Sequence, residues 1–266
     1  LQRAGVLGAL GLGVGAPLAW ELWRERAPGE ITEAEMLEET RRRLLSVSSP
    51  ELQRVYGRVY DAIDRGLIPP IDFADAEVAH YNPDTRQVMI PRSRYADLGT
   101  NAEKLDAVLR SVAHELVHAY FDLIRREGRP EGRIGRADEE RLAVEAAYWA
   151  AEGSIMMIEV DEQSRPSRFA YARRIEPGRE EFELSTNLPE NELEAFLRRA
   201  ASARHVVPEI PRILSSLIQG LRNDVSFRVI RDADPTAFLE SSLYRATVLA
   251  QAGTSGAVAA SLGAQL

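Results

Sequence analysis

Apolar and charged positions alternate along most of this chain with a period close to that of an α-helix, which predicts a mainly helical protein. Between Ile31 and Leu67 the apolar set Met36, Leu37, Leu44, Leu45, then Leu52, Val55, Tyr56, Val59, Tyr60 and Ile63 predicts two amphipathic helices broken at Ser49-Pro50. Ile68-Pro69-Pro70-Ile71 follows as an extended connector. The rhythm then shortens. Ala76 to Tyr81 and Arg86 to Pro91 read as a β-hairpin turning at Asn82-Pro83-Asp84.

Thr100-Asn101-Ala102-Glu103 has the form of a capping box, so a long helix should begin there and run to about Glu127, before Gly128. Its apolar stripe is Leu105, Val108, Leu109, Val112, Leu116, Ala119, Tyr120 and Leu123. The opposite side also carries small or apolar groups (Ala107, Val117, Phe121), which predicts burial on both faces. After a Gly-rich loop a second helix should run from Ala137 to Glu152, stop at Gly153, and fold back antiparallel on the first. Ile155 to Val160, Phe169 to Ile175 and Glu181 to Ser185 read as short strands. Helices are expected over Asn191 to Ala203, Ile210 to Leu221, and Pro235, capped by Asp234, to Gln251. The fold class that results is α+β, mostly helical with a small mixed sheet.

Composition narrows the chemistry. The 266 residues are 45% hydrophobic and 28% charged with a net charge of -8, an acidic balance that argues against nucleic-acid binding. There is no cysteine, so thiolate ligands, thiol nucleophiles and disulfides are excluded, and any metal must be held by imidazole and carboxylate. Residues 4 to 20 form a continuous apolar run with five glycines, preceded by Arg3. At a helical rise its reach is only about 25 Å, so we read residues 1–30 as a signal or anchor segment with a linker. The chain starts at Leu1, in keeping with a processed product or part of a longer polypeptide. That segment makes an exported or membrane-anchored location the expectation, with a cytoplasmic one left open. The catalytic domain is expected over residues 31–251, and residues 252–266, small and weakly polar, as a flexible tail.

The long helix carries His114-Glu115-Leu116-Val117-His118, an H-E-x-x-H pattern in a chain with only four histidines. Histidines one turn apart project from the same side of a helix, close enough to grip one tetrahedral metal ion. Glu115, turned away from them, can reach a water at that metal without binding the metal itself. His80, in the hairpin, reads instead as a strand-surface histidine.

In its motif the chain resembles the zincin metallopeptidases. The metzincin branch would place Gly and His where this chain has Phe121 and Ile124, so the resemblance is to the gluzincin-like branch, whose third ligand is a glutamate on the following helix. Glu145 is the choice for that ligand, because Glu145-Ala146-Ala147-Tyr148-Trp149-Ala150 is similar to a zincin ligand segment and a carboxylate amid so many apolar groups needs a positive partner. Glu140 and Glu139 are the next choices. Asp138 and Asp122 are candidates to hold the ligand imidazoles from behind. By the same resemblance Gln87, Val88, Met89 and Ile90 would form the strand that pairs with an extended substrate. An oxyanion-stabilising group would come from His205, Tyr148 or Tyr171.

The function implied is zinc-dependent hydrolysis of peptide bonds, with one Zn²⁺ per chain on His114, His118 and Glu145, Glu115 as general base, and a protein or peptide as substrate. Because the imidazoles must be neutral, activity should fall below about pH 6. The alternative is a non-catalytic membrane-associated protein with a structural or vestigial metal site, residues 4 to 20 being the candidate for membrane association.

Overall fold

A computed structural model of the chain describes residues 30–76, 78–160, 166–174, 182–223 and 229–230. The apolar run at residues 4–20, the helix expected from Pro235 and the tail lie outside the described residues. Among those described, no helix is long and apolar enough to cross a membrane.

Among the described residues, six α-helices and two small sheets make the fold α+β. Helix α1 (Glu33–Leu45) starts at a capping box between Thr32 and Glu35, and α2 (Pro50–Asp64) starts at Ser49 with Pro50 at its first position. The break between them falls at Ser49-Pro50, as the sequence pattern predicts. Three strands follow: β1 (Asp72–Ala74), β2 (His80–Asn82) and β3 (Gln87–Pro91), in the order β1-β3-β2. β2 and β3 are the two arms of the expected hairpin, with Tyr81 opposite Val88, and Asn82 Oδ1 accepts the Asp84 and Thr85 main-chain N–H groups in the turn. The first arm is shorter than expected. β1 pairs with β3 in parallel, so β3 is the central strand of the sheet.

Helix α3 (Asn101–Arg126) is the spine of the molecule, touching α1, α2, α4 (Arg136–Glu152) and the first sheet. It begins at the Thr100–Glu103 capping box and is buried on both faces, from Leu105 and Leu116 on one side to Ala113 and Val117 on the other. A Leu-to-Ala cavity at such fully buried positions costs about 2–5 kcal/mol. The turn into α4 is tight because Gly132 lies against α3: a Cβ there would stand 2.8 Å from the Arg125 nitrogen. α4 runs antiparallel to α3, since its first turn reaches His118 and Arg125 through Glu139 while its last turn reaches back to Arg110 through Glu152. Gly153, in the left-handed region at φ 62, ends it.

The second sheet, β4 (Ile155–Val160), β5 (Pro166–Arg174), β6 (Phe182–Thr186) and β7 (Val229–Ile230), is antiparallel except for the β6–β7 pair. Helices α5 (Glu190–Ser202) and α6 (Glu209–Asn223) pack on each other beside it, with Ile210, Ile213, Leu214 and Leu217 on the buried face of α6. Two sheets therefore stand where one was expected.

Candidate metal centre

The side chains of His114 and His118 leave α3 one turn apart, as the spacing requires, and both are turned toward the first turn of α4. Their Nε2 atoms are 3.2 Å apart. Glu140 closes the group, with Oε1 3.0 Å from His114 Nε2 and Oε2 3.3 Å from His118 Nε2. In a tetrahedral site with bonds of about 2.0–2.1 Å, neighbouring donor atoms stand roughly 3.3 Å apart. The three donors therefore already sit at ligand spacing. Glu140 Oε1 is buried and, among the described residues, makes no hydrogen bond of good geometry despite its closeness to His114 Nε2. His114, His118 and Glu140 form a largely buried group that could hold a metal ion.

Behind this group stands Glu139, whose Oε1 lies 2.9 Å from His118 Nδ1 and whose Oε2 accepts from Arg125 at 2.5 Å. A carboxylate on the far nitrogen fixes the ring and leaves Nε2 to face the metal. The charges are strongly coupled. Burial opposes ionisation of His118, but the carboxylates of Glu139, Glu140 and Glu115 outweigh it and raise the imidazole to about 10. Burial likewise opposes the Glu140 anion, yet His114 and His118 hold it well below the usual carboxylate range.

A cleft of about 780 Å³ opens over the group, walled by α3, by the β1–β2 connection and β2, and by the start of α4. Glu115, His118, Glu139 and Glu140 line it together with His80, Tyr81 and Asp122. Glu115 is therefore beside the ligands and open to the cleft without belonging to the ligand set.

Several expectations are corrected by this geometry. Glu145 is not grouped with the imidazoles: Oε2 lies 2.7 Å from His205 Nδ1 and Oε1 accepts from the Val206 and Val207 N–H groups at 2.9 and 3.2 Å. Glu145 follows Glu140 by five residues, about 140° around the helix, which turns it toward the α5–α6 connection. His205 is thereby bound to Glu145 and to the Ala200 carbonyl, away from the cleft. Tyr148 packs against Tyr171, whose hydroxyl donates to Glu152, and neither tyrosine lines the cleft. Asp138 is exposed beside Arg141, so the support expected of it comes from Glu139. Asp122 does line the cleft, but it accepts from Tyr81 and Arg126 and from neither ligand imidazole.

Gln87, Val88, Met89 and Ile90 are not placed to pair with a substrate. β3 has β1 on one side and β2 on the other, and Val88 and Ile90 are fully buried. Nor is the outer edge of β2 open to strand addition. There the Tyr81 N–H goes to Glu115, Pro83 has no N–H to offer, and the Pro83 carbonyl is taken by Arg126. Sequence reasoning had Glu139 and Glu140 only as reserves and did not foresee His80 and Tyr81 in the cleft wall. The signal for the acidic pair was its place in the first turn after a short loop, which an antiparallel return sets beside the second histidine.

No family model, curated protein or solved structure matches this chain.

Proposed function

We propose that the chain is a zinc-dependent metallopeptidase with a zincin-like catalytic domain. The observation that carries this is the convergence of His114 Nε2, His118 Nε2 and the Glu140 carboxylate at ligand spacing, under a cleft that Glu115 also lines. Two imidazoles and one carboxylate suit Zn²⁺, and three protein donors leave a coordination position for substrate or water. When bound, the ion supplies Lewis-acid polarisation of a carbonyl and makes water acidic near neutral pH.

The protein groups perform the rest. Glu115 accepts a proton from the attacking water as its oxygen bonds to the amide carbon, then delivers that proton to the nitrogen as the C–N bond breaks. Glu139 holds the His118 ring in orientation through Nδ1. With the β2 edge closed, a peptide would be recognised through its side chains by the mixed wall of the cleft, apolar at Val78 and Ile134 and charged at Asp84, Arg125 and Arg136.

The test is metal analysis and peptide hydrolysis by the purified chain and two variants. Zinc should be found at one per chain and be lost on His114→Ala. Glu115→Gln should keep the zinc and lower kcat by about 10²–10⁴-fold. Full activity in Glu115→Gln, or no hydrolysis of any peptide by the zinc-loaded wild type, would remove the peptidase proposal and leave a structural metal site.

A further inference from the structure

Glu115 carries three side-chain torsions, yet among the described residues its carboxylate receives a single hydrogen bond. The donor is the main-chain N–H of Tyr81, 2.7 Å from Oε2. The orientation of the group assigned to proton transfer is thus set from a different element, the three-residue strand β2. Its placement in turn depends on what holds it.

What holds it is the same tyrosine. The Tyr81 hydroxyl donates to Asp122 Oδ2 at 2.8 Å, and that oxygen also accepts from Arg126 Nε at 2.7 Å. Arg126 Nη2 then reaches the Pro83 carbonyl at 2.7 Å, just past the end of β2. Glu115 and Asp122 are two helical turns apart on α3, about 10 Å along the axis, and a tyrosine with one hydrogen bond at its amide and another at its hydroxyl bridges that gap. Burial and the Asp122 carboxylate both raise the Tyr81 phenol above its ordinary value, which keeps it a donor. Tyr81 is therefore clamped to α3 at both ends.

We propose that Tyr81, braced by Asp122 and Arg126, is a positioning residue for Glu115: the hydroxyl–carboxylate bond at one end of the tyrosine fixes the N–H that aims the Glu115 carboxylate at the other. This rests on the peptidase proposal for its kinetic consequence but not for its structural one. A main-chain donor on Oε2 leaves Oε1 as the proton acceptor. Loosening β2 lets the carboxylate rotate among its rotamers, and misplacement of about 1 Å costs up to about a hundredfold in rate.

The experiment uses the zinc-loaded full chain, with a mixture of fluorogenic peptides as substrate and hydrogen exchange of the Tyr81 amide as a readout independent of activity. Tyr81→Phe keeps the ring and the N–H and removes only the hydroxyl. It should retain one zinc and an unchanged KM, lower kcat about tenfold or more, and speed exchange at residue 81. Asp122→Ala should do the same, the double variant should be no worse than either single one, and Asp122→Asn, which keeps an acceptor oxygen, should recover most of the loss. Glu115→Ala should also expose the residue 81 amide.

Wild-type kcat in Tyr81→Phe, additive losses in the double variant, or an amide at residue 81 whose exchange ignores Glu115 and Asp122 would each overturn the inference. If Tyr81→Phe fails to fold, the Asp122→Ala and Asp122→Asn pair carries the same comparison. An inactive wild type whose residue 81 exchange still depends on Glu115 and Asp122 would sink the peptidase proposal and leave the clamp in place.

Discussion

The Glu145 carboxylate lies 2.7 Å from His205 Nδ1, while the Glu140 carboxylate, five residues earlier on the same helix, lies 3.0 Å from His114 Nε2. One helix thus carries two buried glutamates, each facing a histidine, on two different faces. Their removal should differ in what it does to the metal. Glu140→Ala should cost most of the zinc affinity, and it should also lower the stability of the metal-free chain because it removes a buried counter-charge of His118. Glu145→Ala should leave zinc at one per chain but lower stability by about 1–3 kcal/mol, because it removes the acceptor of the buried Val207 N–H and of the half-buried Val206 N–H and one of the two partners of His205. Zinc content and urea denaturation of the two variants separate the roles, and zinc loss in Glu145→Ala alone would reverse them.

Glu139 offers a second contrast. Its carboxylate touches no metal-facing atom, yet it holds His118 Nδ1 at 2.9 Å and ties that ring to Arg125. Glu139→Gln keeps the shape and removes the charge. Zinc affinity, measured by competition with a chelator, should fall about 10–100-fold, whereas Asp138→Asn, at an exposed position one residue earlier, should change nothing.

How much of this was legible follows from what each signal measures. The capping box at Thr100, the stop at Gly153 and the apolar stripes are local, and the helices they mark lie where the pattern puts them. The H-E-x-x-H pair is also local, since one helix fixes both imidazoles. The third donor is not. Sequence shows that Glu145 sits among apolar groups and needs partners; Arg141, at 3.7 Å, lies one turn away on the same helix, but the others, His205 and the Val206 and Val207 N–H groups sixty residues on, depend on how α5 and α6 return. β1 was missed for the same kind of reason, because three residues after a Pro-Pro pair carry no alternation, and its pairing with β3 is what closes the expected substrate strand.

The imidazole of His118 gives the metal-free protein a defined response to pH. It is raised to about 10 against an ordinary value near 6.5, so its proton stabilises the folded metal-free chain fully below about pH 6.5, and that contribution is lost as pH rises through about 10. A metal ligand must be neutral, so zinc has to displace this proton. At pH 8, zinc binding should release at least one proton per chain, seen as a dependence of the calorimetric heat on the buffer's ionisation enthalpy. Apparent affinity should climb about tenfold per pH unit between pH 7 and 9 from this group. His118→Ala should bind weakly and without that release; a buffer-independent heat in the wild type would show that His118 is already neutral.

Gly132 provides a test of how the two helices are held in register. A Cβ at this position would lie 2.8 Å from the Arg125 nitrogen and 2.9 Å from its Cα, both backbone atoms of α3 with no freedom to yield. Gly132→Ala must therefore push the loop away from the helix, and with it Ile134 and the first turn of α4 that supplies Glu139 and Glu140. The cost of such overpacking is about 1–3 kcal/mol. Because the displaced segment holds one donor while α3 holds the other two, zinc affinity should fall with stability, even though residue 132 is eight positions from the nearest ligand. At Gly128, where φ is 70 and nothing lies within 4 Å of a Cβ, alanine meets only backbone strain. Gly128→Ala should thus lose stability by about 1 kcal/mol with zinc binding intact, and equal zinc loss in both variants would show that loop stability, not close approach, sets the position of Glu140.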